Sequence, residues 1–193
     1  MLAGVIGSVA AVGAVEAGVG TAVPQAENPY ASAEFTVSSD PKAVVLFVQG
    51  HSMMVDETQS MRLFGDGRLE LALSGRSPQP ERRVLQLDES AQQELLAIAV
   101  RHGLAEWDTT RIESEKAIVL NGRQRTTADG YVVSVTLVLE TYQRGSLDRS
   151  NVRKKMSVSN PDVSVNDFPG VYEFRGLFEL QKYLQRVSRA EGL

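Results

Sequence analysis

The sequence predicts an α+β fold, with a mainly antiparallel sheet and two helices packed on one face of the sheet. Strand-like runs are joined by Asp-Gly and Asn-Gly dipeptides, which favour the positive-φ turns of hairpins. Two other segments combine helical spacing of apolar residues with recognisable helix ends. The strands and helices do not alternate as regularly as a doubly wound parallel sheet requires, so the α+β class is favoured.

Strands dominate the first half of the predicted domain. The turn residues Gly65-Asp66-Gly67 lie between two runs with strand character, which predicts a hairpin. A polar, proline-containing loop is expected at 75–83. The strands, in order, are a buried apolar run at 43–48, the two hairpin strands at 59–64 and 68–73, and a short edge strand at 84–87.

Two helices are predicted to cover the sheet. The first has Asp88 as its N-cap and is expected to stop at Gly103, where a glycine accommodates the left-handed conformation. The second begins near Tyr172, and its apolar residues recur at helical spacing through Leu184. Each helix therefore has one apolar face to bury.

The remaining segments are predicted as strands separated by polar loops. The β-branched run 131–140 is the strongest strand signal in the chain. Asn121-Gly122 follows the apolar run 117–120, which suggests a hairpin turn at that point. The other predictions are an edge strand at 155–159, polar loops at 108–116 and 143–151, and a long loop at 160–171.

Residues 1–33 form an apolar leader that contains no Lys or Arg. The run up to Val15 resembles the core of a signal peptide, and Ala31-Ser32-Ala33 has the small-x-small form of a cleavage site. Glu16 interrupts the run and no basic residue precedes it, so a flexible tail and a spanning helix stay open as alternatives. Residues 34–41 are expected to be a linker, and 42–193 a single α+β domain. The leader predicts an extracytoplasmic protein, either periplasmic, secreted or membrane-tethered.

Composition excludes several classes of function. The 193 residues carry 20 basic and 24 acidic side chains, a net charge of -4, which argues against a nucleic-acid binder. With no cysteine and two histidines, the chain has no thiolate nucleophile, disulfide or cysteine-based metal site. We also find no catalytic, cofactor-binding or metal-binding motif among the common ones.

The two histidines are far apart in the sequence, and each is explained by a structural role before a metal-binding or catalytic one. His51 precedes Met53 and Met54, a combination that copper accepts, but one such cluster more often contributes packing. His102 lies near the predicted end of the first helix, where a charged imidazole interacts favourably with the helix dipole. Neither histidine is assigned a catalytic role.

Three residues are candidate contacts for a binding partner. Trp107, the only tryptophan, is either a recognition anchor or a cap on the core. Arg149 and Arg153 belong to a basic cluster that suits an acidic partner, although charged residues also protect edge strands from aggregation. The loops 75–83, 108–116 and 143–151 are the expected binding surfaces, because function concentrates on loops of a rigid scaffold.

The order of elements resembles that of emfourin-type inhibitors of thermolysin-like metallopeptidases. The similarity covers residues 43–187 and rests on the hairpin strand 68–73, the helix opened by Leu87-Asp88-Glu89, the strand begun by Asp129-Gly130-Tyr131, and the terminal helix. The resemblance implies an exported inhibitor of a peptidase and assigns no inhibitory residue.

The sequence therefore predicts an exported, non-enzymatic binding module that acts on a protein partner, with peptidase inhibition as the specific form. Membrane contact is expected only through the leader. Two alternatives remain: a structural protein of the cell envelope, and a hydrolase that depends on paired carboxylates, whose pKa values would have to be pushed apart.

Overall fold

A computed structural model describes residues 28–75, 80–123 and 130–193. They form one mixed sheet-and-helix structure in which every strand pairing is antiparallel, which confirms the predicted α+β class. The strands are β1 (Glu34–Thr36), β2 (Val44–Ser52), β3 (Glu57–Phe64), β4 (Arg68–Ser74), β5 (Glu81–Gln86), β6 (Tyr131–Arg144) and β7 (Leu147–Ser159). The helices are α1 (Glu89–Val100), α2 (Thr109–Leu120), α3 (Pro161–Asp167) and α4 (Tyr172–Ala190), with a 3-10 turn at Leu104–Glu106.

The long strand β6 organises the sheet. It pairs along one side with β7, while β2 and β1 share its other side. From β2 the sheet continues through β3 and β4 to β5, so that β7 and β5 are the two outer strands among the described residues. The turn Gly65-Asp66-Gly67 joins β3 to β4 with Gly67 at φ 82°, as the hairpin signal predicts.

The main core lies between one face of this sheet and the helices α1 and α4. Leu46, Leu63 and Leu137 from the sheet are fully buried against Leu96 of α1 and Leu180 of α4. A smaller cluster joins α2, α3 and α4 through Ile112, Phe168, Val171 and Phe174. The structure therefore has a principal core under two helices and a second apolar cluster at one end.

Both predicted helices are present. Asp88 caps α1, and its side chain accepts a hydrogen bond from the Ala91 amide at 2.8 Å. The helix ends at Val100, and Gly103, at φ 80°, begins the 3-10 turn rather than terminating α1 directly. The terminal helix begins at Tyr172, as predicted.

The predicted loop 108–116 and strand 117–120 are both wrong, because these residues form the single helix α2. Asp108 caps it by accepting from the Arg111 amide at 3.1 Å. Asn121 ends the helix in the left-handed conformation, at φ 46°, and Gly122 follows at φ 79°. Because hairpin turns and helix C-caps both require positive φ, Asn-Gly is compatible with either.

Two other predicted loops are also wrong. Residues 143–151 complete β6 and β7, which continue as a polar hairpin around Gly145 beyond the apolar part of the sheet. Within 160–171, α3 begins with Pro161 in its first turn, a position where the missing amide hydrogen is tolerated. Two helices are therefore added to the two predicted ones. In the loop predicted at 75–83, residues 81–83 belong to β5, and 76–79 lie outside the described residues.

The predicted linker and the end of the leader need correction. Glu34–Thr36 form β1, which pairs with the end of β6, so 34–41 is not simply a linker. Such a short strand leaves no periodic signal in the sequence. Tyr30 and Ala33 are both 8% exposed, and a Cβ on Gly103 would come within 2.5 Å of the Tyr30 ring. Residues 28–33 are thus packed on the domain, while 1–27 lie outside the described residues.

No helix among the described residues is both long and apolar enough to cross a membrane.

Candidate functional site

A groove of about 550 Å³ lies between α2, α3 and β7. Its apolar lining comes from both clusters of the core and from α2: Trp107, Ile112, Ala117, Leu120, Met156, Val158, Val163, Phe168 and Phe174. Its polar lining includes Glu113, Lys116, Lys155 and Asp167. Apolar and polar side chains contribute about equally to the lining, and a concave site with a few charged groups among apolar ones is a candidate binding site.

One face of α2 forms a wall of the groove. Thr109, Ile112, Lys116 and Leu120 line it at intervals of three and four residues, as one side of a helix must. Lys116 Nζ donates to Glu113 Oε1 at 2.9 Å, so these two rim charges are paired with each other. The wall therefore combines apolar side chains with one ion pair, and its net charge is close to zero.

The edge of β7 forms the facing wall. The groove is lined by every residue from Lys155 to Asn160. Successive side chains of a strand point to opposite faces of the sheet, so a wall of consecutive residues means that the strand edge borders the groove. Among the described residues β7 pairs only with β6, which leaves this edge without a neighbouring strand.

Trp107 joins the two walls at the base of the groove. Its indole Nε1 donates to Thr109 Oγ1 at 3.2 Å, and its ring lies 6.4 Å from the ring of Phe174. Its backbone carbonyl accepts a hydrogen bond from Lys154 Nζ at 3.0 Å. The half-buried side chain thus packs against the core and also lines the groove. Its role as a partner contact stays a prediction.

Arg149 and Arg153 lie on opposite faces of the sheet. Arg153 is opposite Val138, which alternates with the buried Leu137 and Leu139 and so points away from the helices. Arg149 is opposite Tyr142, whose hydroxyl reaches Glu106 on the helical side. Between these positions Asn151 has φ 53°, which changes the alternation of the strand. The two arginines therefore do not form one patch.

A charged cluster surrounds Glu106 at the end of the sheet. Arg144 donates from two of its nitrogens to the Glu106 carboxylate, with Nη2 to Oε2 at 2.8 Å. Tyr142 donates its hydroxyl to the same carboxylate. These hydrogen bonds, with Arg144 foremost, lower the pKa of Glu106 below its ordinary value. Glu106 is therefore ionised at neutral pH and binds the 3-10 turn to β6.

A second cluster surrounds Glu173 at the start of α4. Glu173 Oε1 accepts hydrogen bonds from Tyr30 Oη, at 3.1 Å, and from Arg111 Nη2. Arg111 also contacts Glu115 at 2.6 Å. Burial raises the pKa of the Glu173 carboxyl above its ordinary value and raises the pKa of Tyr30 to about 12. The Arg144 guanidinium lies 5.1 Å from the centre of the Tyr30 ring, which connects the two clusters.

The two glutamates have pKa values shifted in opposite directions, as a carboxylate hydrolase requires, but their surroundings suit structural roles. The side chain of Glu173 is 1% exposed, so its carboxylate is closed to a substrate. Neither glutamate lines the groove. The clusters attach the N-terminal segment and α2 to the domain, and a group that cannot reach substrate cannot act as its acid or base.

The histidines and methionines do not form a site together. His51 Nδ1 lies 3.0 Å from Thr58 Oγ1 across the β2–β3 hairpin, and Met53 and Met54 are 62% and 78% exposed in the turn beyond it. His102 Nδ1 donates to the Ile98 carbonyl at 2.8 Å, beside the end of α1. Across 28–75, 80–123 and 130–193, no three His, Asp or Glu side chains converge as a metal site would need.

Trp107 and the segment 108–116 were both predicted to lie at a binding surface, and both contribute to the groove, but the groove itself was not predicted. A helical interpretation of 109–120 would have placed Ile112, Lys116 and Leu120 on one face. The edge of β7 was predicted as an outer strand, but the helix that faces it was predicted as a loop followed by a short strand. The clusters around Glu106 and Glu173 have no local signal, because their members are distant in the sequence.

Comparison with known proteins assigns no family: no protein-family model matches the chain, and no curated protein matches it.

Proposed function

We propose that the chain is an exported binding module that acts on a protein partner, and that a segment of this partner docks in the groove between α2, α3 and β7. The observation that supports this proposal is the groove itself, about 550 Å³ in volume and lined by a strand edge and by one face of the helix α2. Both features are used in peptide recognition, where backbone hydrogen bonds supply affinity and side-chain pockets supply selectivity.

Two apolar side chains of α2 are exposed outside the groove. Ile118 and Val119 are 78% and 58% exposed, and neither lines the groove. Ile118 follows Ser114 by one helical turn, so it lies on the side of α2 away from the groove. The proposed docking site therefore does not include it.

Export and peptidase inhibition are the parts of the proposal that rest on sequence alone. The apolar residues from Leu2 to Val15 favour export, and the emfourin-like order of elements favours a peptidase as the partner. A captured peptidase whose activity falls as the chain is titrated against it is the result we expect for this specific form.

The test compares partner capture by the full chain with capture by two variants of α2. Ala117→Arg places a long charged side chain in the groove, whereas Ser114→Arg makes a similar change on the opposite side of the helix. Tagged proteins are incubated with the envelope and secreted fractions of the source cells, and the bound proteins are identified by mass spectrometry. Thermal unfolding of each variant establishes that it is folded.

We expect a protein captured by the full chain and by the Ser114→Arg variant, and lost with Ala117→Arg. Equal capture by both variants would place the binding surface elsewhere and contradict the proposed groove. If the folded full chain captures nothing specific, the binding proposal is wrong and a structural role in the envelope is favoured.

A further inference from the structure

The faces and the charges of β7 define what kind of segment fits beside it. We propose that the groove receives an extended segment of alternating acidic and apolar residues, which adds to β7 as a further strand of the sheet. This inference rests on the proposed function and names the chemistry of the partner segment.

The strand edge supplies the first argument. Residues Lys155 to Asn160 all border the groove, and no described strand pairs with β7 on this side. An outer strand presents unpaired amide and carbonyl groups, which an added strand satisfies. Five of these residues, Lys155 to Ser159, belong to the strand and extend over about 17 Å, long enough to pair with a segment of similar length.

The helical side of the sheet supplies the second argument. Met156 and Val158 point from β7 toward the groove, where Ile112 and Phe168 also lie. Residues directly opposite each other in paired strands share a face of the sheet. Every second residue of an added strand would therefore lie against this apolar base, which favours apolar side chains at those positions.

The other side of the sheet supplies the third argument. Arg153 and Lys155 point away from the helices and are exposed, and neither forms an ion pair with any residue in the described ranges. Lys155 borders the groove, so an intervening residue of an added strand would lie beside it, and a segment that extends one residue pair further would also reach Arg153. Carboxylates of the added segment at those positions would be attracted to the cations of β7, whereas lysines of the segment at the same positions would be repelled.

The charges also argue against pairing between two copies of this chain. Edge-to-edge pairing would place beside β7 a second strand with the same positive net charge, since each carries Arg149, Arg153, Lys154 and Lys155 and only Asp148 as an acid. Like charges opposite each other destabilise paired strands. The groove contains acids of its own, but Glu113 is paired with Lys116, and Asp167 lies on α3 rather than on the β7 edge.

Trp107 makes the inference directly testable, because it is the only tryptophan and lines the groove. The probe is the peptide acetyl-Glu-Val-Thr-Val-Glu-Val-Asp-amide, titrated into the full chain while tryptophan fluorescence is recorded. Two matched peptides follow, one with lysine in place of each acid and one methylated on every backbone nitrogen between residues. The fully methylated peptide keeps its side chains but lacks the amide donors that strand pairing needs on both of its edges.

We expect a saturable fluorescence change with the acidic peptide and binding about tenfold weaker or less with either matched peptide. Lys155→Glu should weaken binding of the acidic peptide, whereas Arg82→Glu should not. Arg82 is an exposed cation on β5, at the opposite edge of the sheet and about 24 Å away by the spacing of the strands.

Two results would overturn the inference. Equal binding of the lysine peptide would show that the cations of β7 protect an edge strand and select no ligand. No binding of the acidic peptide would do the same, and if partner capture still depends on Ala117, the proposed function stands without this inference.

Discussion

The helices α1 and α2 are both twelve residues long and both begin at an aspartate N-cap, yet the protein packs them very differently. Asp88 and Asp108 each accept a hydrogen bond from the third residue beyond them. In α2 only Ile112 is buried, whereas α1 buries five residues: Gln92, Leu95, Leu96, Ala99 and Val100. The same local start thus leads to one helix inside the core and one at its margin.

The difference lies in what attaches each helix. The buried face of α1 is part of the main core, whose burial is the principal favourable contribution to folding. Arg111 attaches α2 through Glu173, and Ile112 attaches it through the smaller cluster. A helix held by few buried contacts opens locally more easily than one in the core, and its free side is available for binding.

The largest expected effect comes from removing a buried side chain of α1. Leu96 is fully buried in the main core, so Leu96→Ala should lower the free energy of unfolding by about 2–5 kcal/mol. Ile112→Ala removes a side chain that is 2% exposed but borders the groove, where water can enter the space left behind, so a smaller loss is expected. Urea denaturation of both variants measures the two losses.

Leu85 of the outer strand β5 is the control, because it is a leucine that is only half-buried. Leu85→Ala should cost less than Leu96→Ala. A loss with Ile112→Ala as large as that with Leu96→Ala would mean that α2 belongs to the core as fully as α1 does.

The sequence predicted an element correctly where that element buries apolar residues at regular intervals. The strand at 131–140 and the helix that begins at Asp88 were predictable because their apolar residues follow the period of the structure they form. Helix α2 was not predictable in this way, because a helix that buries one residue needs no apolar stripe. The dipeptide Asn121-Gly122 was interpreted as a hairpin turn, whereas its positive φ angles end the helix α2.

The candidate site was predictable only in part, for a related reason. Trp107 was identified by its type, but the groove depends on how α2 lies against β7, and that position is set by contacts such as Arg111 with Glu173. Those residues are separated by 62 positions. Arg149 and Arg153 were grouped by their closeness in sequence, whereas the register of β7 puts them on opposite faces.

A smaller effect is expected from Arg111→Met, which removes the polar attachment of α2. The change leaves the buried carboxyl of Glu173 with Tyr30 as its remaining side-chain hydrogen-bond partner, and we expect a loss of about 1–3 kcal/mol at neutral pH. Burial already raises the pKa of Glu173 above its ordinary value. Without the guanidinium it should rise further.

The pH dependence of this loss has a definite sign. A carboxyl with a raised pKa in the folded state binds a proton more tightly there than in the unfolded chain, so stability increases as pH falls through the folded pKa. The deficit of Arg111→Met should therefore be smaller at about pH 5 than at about pH 7. Arg175→Met, an exposed change on α4, is the control, and an equal deficit at both pH values would contradict the role of Glu173.

The N-caps of α1 and α2 allow a matched comparison of two substitutions with smaller expected losses of stability. Asp88→Ala and Asp108→Ala each remove one hydrogen bond to a helix amide, and each should cost about 1 kcal/mol. Because α1 is part of the main core, its loss should appear in global unfolding. For α2, the loss should appear as faster hydrogen exchange over 109–120.

Exchange measured by mass spectrometry on peptides from α1 and α2 tests this difference. If Asp108→Ala accelerates exchange in α1 as much as in α2, the two helices unfold as one cooperative unit, and the contrast between them is wrong.

The smallest expected effect concerns the outer side of α2. Ile118 is 78% exposed, so Ile118→Gln should change the free energy of unfolding by less than about 0.5 kcal/mol, in contrast to any buried leucine of α1. Glutamine is a comparable helix former, so propensity adds little. Urea denaturation of the full chain is the measurement. A loss above about 1 kcal/mol would mean that Ile118 is covered in the folded chain, and the contrast between α1 and α2 would then be wrong.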